Sequence, residues 1–64
     1  KDLPAMLRNK IQDEYDEYNI TKVVNVKEAG RNIWVVNLDN LKHLALVRIE
    51  EDEMELVKKY EKTM

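Results

Sequence analysis

Few side chains in this 64-residue sequence could carry out chemistry. His43 is the only histidine, there is no serine or cysteine, and Thr21 and Thr63 supply the only aliphatic hydroxyl groups. Neither threonine lies in a recognisable nucleophile motif, and a catalytic base at His43 would need a partner that the sequence does not identify. We therefore expect His43 to be an ordinary strand residue near a turn, and we predict no catalytic residue and no enzymatic activity.

Two acidic clusters are the candidate cation sites. One comprises Asp13, Glu14, Asp16 and Glu17, and the other spans residues 50–53. Neither has the ligand order or the glycine of a calcium-binding loop. We expect both clusters to be solvated surface. For the second cluster, the alternative is that it docks on a basic partner. No metal and no other cofactor is predicted.

The composition indicates a small globular domain. With 44% apolar and 38% charged residues, the chain has enough apolar side chains to form a core. The 11 basic and 13 acidic residues give a net charge of -2, so no excess of positive charge is present to follow a phosphate backbone or an anionic lipid surface. No apolar run reaches the roughly 18 residues of a spanning helix. We expect neither nucleic acid nor membrane insertion, and no small-molecule substrate is implied.

The first segment has the apolar spacing of an amphipathic helix. We expect Asp2 and Pro4 to mark its start, because an aspartate can cap free amide groups and proline is tolerated in the first turn. Asn19 is the expected stop, in the left-handed conformation. The apolar residues that recur on one helical face are Leu3, Leu7, Ile11, Tyr15 and Tyr18.

Three or four antiparallel strands are predicted after the helix. Turn residues separate them at 29–32, at 39–40 and in the acidic run 50–53. The last segment is ambiguous between strand and helix, because Met54, Val57, Tyr60 and Met64 could mark a helical stripe. The order predicts an α+β fold in one domain over residues 1–64, with the helix packed on the sheet. The predicted strands are residues 20–27, 33–38, 42–49 and 54–60.

Both faces of the two central strands carry apolar side chains, although a single helix can cover only one face. We expect one set, made of Trp34, Val36, Leu38, Ala45, Val47 and Ile49, to face the helix. The other face is then a candidate protein-binding surface. The alternatives are a C-terminal helix folded over that face, or shielding by lysine and arginine stems. The predicted apolar centre is Ile33, Val35, Leu44 and Leu46, and the predicted polar rim is Arg31, Asn37 and Arg48.

Segments spread over nearly the whole chain follow a recognisable order. They are "LPAMLRNKIQDEYDEYNITKVV", then "IWVVNL", then an acidic turn before "MELVKKY". This order resembles the PepSY-like, beta-lactamase-inhibitor-like family of small secreted domains. The positions that carry the resemblance are Leu3 with Pro4, Tyr15, Ile20 with Val23, Trp34 with Val36 and Leu38, and Met54 onward.

The resemblance implies a helix on a four-stranded antiparallel sheet, in an exported protein of the bacterial envelope and often in two tandem copies. It also implies a periplasmic or extracellular location and a binding role, in which the sheet surface or a hairpin loop blocks an enzyme in some relatives. This sequence departs from the family pattern because "EEDEM" lacks a glycine and only one copy is present. The chain begins at Lys1, so it could be one repeat or a fragment of a longer exported protein.

The function predicted from the sequence is therefore a non-catalytic, inhibitor-like protein-binding module of the bacterial envelope. Its binding surface would be the sheet face opposite the helix, and its partner another protein or a second copy of itself. The alternative is a structural repeat or homodimerisation unit with no external target.

Overall fold

The computed structural model describes residues 3–51 and 53–62. The strands form one four-stranded antiparallel sheet in the order β1-β2-β3-β4. This confirms the predicted α+β arrangement and shows that the last segment is a strand, so no C-terminal helix covers the sheet within the described residues. The elements are α1 (Ala5–Glu14), β1 (Asn19–Glu28), β2 (Arg31–Asp39), β3 (His43–Glu50) and β4 (Glu53–Glu61).

The helix is shorter than its apolar spacing predicts. It begins after Pro4, whose carbonyl accepts a hydrogen bond of 2.9 Å from the backbone N–H of Arg8. It ends before Tyr15, whose φ of -129° and ψ of 59° are not helical. The prediction of a left-handed stop at Asn19 was wrong, because that residue already begins β1. Asp2 lies outside the described residues.

Short turns connect the strands. Ala29 and Gly30 form the turn between β1 and β2, with φ values of 51° and 77°. Arg31, which we predicted in this turn, is the first residue of β2. The next turn is held by Asn40, whose Oδ1 accepts hydrogen bonds from the backbone N–H groups of Lys42 and His43 at 2.8 and 2.6 Å. These tight connections set the register of neighbouring strands.

The core lies between α1 and one sheet face. Ile11 is the fully buried residue of the helix, and Leu7 and Tyr15 are partly buried against the same core cluster. The two stripes predicted to face the helix are confirmed, because alternate residues of β2 and β3 point to the same face. The core cluster is Leu3, Ile11, Trp34, Val36, Leu38, Ala45, Val47 and Ile49.

Candidate protein-binding face

The sheet face that α1 does not cover is the candidate site, and we call it the open face. Residues paired directly across antiparallel strands point to the same side, so the register defines this face. All seven residues predicted as the binding surface lie on it. The face comprises Asn19, Lys22, Val24, Val26 and Glu28 of β1, Arg31, Ile33, Val35, Asn37 and Asp39 of β2, Leu44, Leu46, Arg48 and Glu50 of β3, and Glu53, Glu55, Lys58 and Tyr60 of β4.

The apolar residues of the open face differ in exposure. Leu44 is 44% exposed, and Val35 and Leu46 are half-buried. Ile33 is only 8% exposed, which corrects the expectation that it forms part of an uncovered centre. It lies on an inner strand between Val26 of β1 and a glutamate of β3, so its neighbours cover it. The accessible apolar area therefore lies around Ile33 rather than on it.

Sequence reasoning missed three apolar residues of this face. Val24 is 38% exposed, Val26 is 37% exposed and Tyr60 is 54% exposed. Val24 is paired with Val35, and Tyr60 is paired with Leu44. The alternation of valines in β1 was a usable signal, but it identifies the face only once the pairing register is known.

The apolar residues form two patches at diagonally opposite corners of the open face. The valine patch is Val24, Val26, Ile33 and Val35, and it lies on β1 and the first half of β2. The leucine patch is Leu44, Leu46 and Tyr60, and it lies on β3 and β4 beside the second half of β2. Val35 and Leu46 are the inner members of the two patches. The face thus has an apolar diagonal that runs from one edge strand to the other.

An ion-pair network fills the third corner, and we call it the acidic corner. Arg31 binds Glu50 through two hydrogen bonds, Nε to Oε2 at 2.6 Å and Nη2 to Oε1 at 2.8 Å. Arg48 donates from Nη2 to the same Oε1 at 2.8 Å, and its Nη1 lies 3.7 Å from Oε1 of Glu55. The hydrogen bond from Arg31 is the main reason that the pKa of Glu50 falls from 4.5 to about 2. The two arginines of the predicted rim are therefore oriented by carboxylates of their own chain.

The fourth corner is polar and includes Lys22, and we call it the lysine corner. Asn37 lies here, and its backbone carbonyl accepts a 3.2 Å hydrogen bond from Oγ1 of Thr21. Asp39 is the other polar residue of this corner, and its Oδ1 lies 2.5 Å from Nζ of Lys62. Within the described part of the chain, Lys22 has no ion-pair partner. A groove of about 420 Å³ runs from this corner to the leucine patch, where Leu44, Leu46 and Tyr60 help to line it.

The described residues that were considered for catalysis and cation binding lie at separate places in the fold, and Asp52 and Thr63 lie outside the described residues. His43 is the half-buried first residue of β3, as its place near a turn predicts. Over residues 3–51 and 53–62, no group of three or more carboxylate or imidazole side chains is arranged to hold a metal ion. No helix in the same part of the chain is long and apolar enough to cross a membrane. Comparisons with protein-family models, curated proteins and solved structures give no match to the chain.

Proposed function

We propose that this domain is a non-catalytic protein-binding module whose contact surface is the open face. The observation that carries the proposal is the apolar diagonal formed by the valine and leucine patches. Val24, Val26, Leu44 and Tyr60 expose more than a third of their surface on a sheet face that no other described element covers. Contiguous apolar surface of this kind marks contact sites on soluble proteins.

The apolar diagonal is not needed to complete the fold. The core is already formed between two layers, the helix and the sheet, because α1 packs on the opposite side of the sheet. An antiparallel sheet with one solvated face normally alternates apolar and polar residues. On the open face, Val24 and Val35 stand side by side instead, as do Leu44 and Tyr60. Leaving these pairs in water has a free-energy cost that a bound partner would remove.

The polar corners would give the contact its orientation. Arg31 and Arg48 are already held by Glu50, so their donors are ordered before a partner arrives. Ordered rim groups set register and exclude wrong partners, whereas the apolar centre supplies most of the binding energy. An envelope location and an inhibitor-like role are further parts of the proposal, and they rest on the resemblance described above.

Photo-crosslinking tests the proposed face. A photoreactive phenylalanine analogue is placed at Val24 or at Leu44, with Gln12 on the exposed side of α1 as the matched control position. In an envelope extract, we expect protein adducts from the two sheet positions and none from Gln12. Excess unlabelled chain should suppress them, whereas excess Val35→Lys/Leu46→Lys chain should not. Equal adducts from all three positions, or none, would contradict a binding role for this face.

A further inference from the structure

We infer that the occupant of the open face is a second copy of this chain, packed face to face with its strands at roughly 70° to those of the first. This inference rests on the proposed function, because it uses the same face, and it names the partner. The two-fold axis would run along the apolar diagonal, through Val35 and Leu46. This crossing is nearer to the orthogonal class than to the aligned class, the two usual ways in which sheets pack on each other.

The arrangement of the four corners selects this axis. A two-fold axis parallel to the strands would place β1 over β4 of the second copy, with Val26 facing Glu53. An axis perpendicular to the strands would place the first half of β2 over the second half of β2 in the other copy, with Val35 facing Asn37. An axis along the apolar diagonal places each apolar patch on its own counterpart. Of these three, only the diagonal axis avoids burying apolar side chains against polar ones.

The same diagonal two-fold axis brings polar corners of complementary charge together. The acidic corner of one copy meets the lysine corner of the other, and Glu50 falls near Lys22 of the second copy. Lys22 has no ion-pair partner among the described residues of its own chain, and this contact would supply one. The other diagonal axis would place each acidic corner on itself, bringing Glu50, Glu53 and Glu55 of the two copies together. Like charges at an interface disfavour that alternative.

The edges of the sheet are poor sites for self-association. The register between β1 and β2 shifts at Thr21, and the register between β3 and β4 shifts between Leu46 and Val47. These β-bulges interrupt the regular row of backbone hydrogen-bonding groups along both edge strands. Lys58 and Lys59 also lie in the middle of β4. Bulges and edge lysines are known means of preventing strand addition. Two copies would therefore associate through their faces.

The size of the open face limits the area that two copies can bury. Four strands at about 4.8 Å spacing, over about 26 Å of length, give roughly 500 Å² per chain, or about 1,000 Å² for the pair. That total is at the lower limit of specific interfaces, so we expect a weak dimer that dissociates on dilution.

Cysteine crosslinking tests the axis, because the chain has no cysteine of its own. Residues on a two-fold axis meet themselves, so Val35→Cys and Leu46→Cys should each be joined by a short bismaleimide, whose reach suits sheets about 10 Å apart. The matched controls are Asn19→Cys, which pairs with Asp39 on the same face away from the axis, and Gln12→Cys on α1. We expect a product of twice the 7.6 kDa chain mass from the first two variants only.

Two results would overturn the inference. One is a crosslinking yield at Val35→Cys and Leu46→Cys that is no higher than at the control positions. The other is photo-crosslinking from Val24 and Leu44 that yields only adducts with other proteins, which would leave the proposed function standing and remove the second copy as occupant. Far-UV circular dichroism confirms that each variant is folded, and either of the two axis positions suffices if the other variant is unfolded.

Discussion

At the scale of single residues, Trp34 is the largest side chain of the core. The residue is 8% exposed and packs in the cluster between α1 and the sheet. We expect Trp34→Ala to lower the free energy of unfolding by about 3 to 5 kcal/mol, because it removes buried area and leaves a cavity. Urea unfolding followed by circular dichroism measures this change. Leu41→Ala is the control, since Leu41 is 92% exposed, and a comparable loss there would contradict the assignment of the core.

Glu50 gives the chain a pH-dependent contribution to stability. Its pKa is lowered from 4.5 to about 2, so the unfolded chain binds the proton more readily than the folded chain. The contribution is complete above pH 4.5 and is lost as the pH falls through about 2. We expect the stability difference between the parent chain and Glu50→Gln to shrink over this interval. Urea midpoints measured at several pH values test it, and a constant difference would contradict the role of Arg31.

At the scale of elements, the first hairpin stores strain at one position. Ala29 has a φ of 51°, which is left-handed and unfavourable for alanine, whereas Gly30 at 77° is suited to its place. Positive φ at both central residues is the pattern of a type I′ turn, which favours Asn-Gly. We expect Ala29→Asn to raise stability by about 1 kcal/mol and Gly30→Ala to lower it by a similar amount. Thermal unfolding checks both, and equal signs for the two changes would contradict this account of the turn.

The elements could be predicted from the sequence to different degrees. The alternation in β2 and β3 identified both strands and the face each residue occupies, because a period of two is specific to strands. The end of α1 was missed because Tyr15 and Tyr18 continue its apolar spacing after the backbone has left the helix. The last segment was ambiguous because a bulge lies between Leu56 and Lys58. The extra residue changes the phase of the apolar positions and imitates a helical stripe.

At the scale of the whole molecule, the candidate site could be placed on a face but not mapped. The sequence predicted which residues of β2 and β3 lie opposite the helix. It could not show that Ile33 is covered by its neighbours or that Tyr60 joins the face, since both depend on the pairing register. The diagonal arrangement of the patches also follows only from the register.

Substitution of an apolar residue by lysine should have opposite effects on the two faces of the sheet. We expect Val35→Lys/Leu46→Lys to stay folded and to lose self-association, because the lysine stems can lie along the surface with their amines in water. Val36→Lys is the matched control, since Val36 is fully buried on the other face and an unpaired charge there should unfold the chain. Circular dichroism separates the two outcomes. Unfolding of the double variant would mean that the open face belongs to the core.

The most direct measurement of the central claim is light scattering behind size exclusion, on the parent chain and on Val35→Lys/Leu46→Lys. Over roughly a hundredfold dilution, we predict a parent chain that passes from dimer to monomer by mass action, and a double variant that is monomeric throughout. A parent chain that is monomeric at every concentration would contradict self-association through the open face. So would a double variant that dimerises as the parent does.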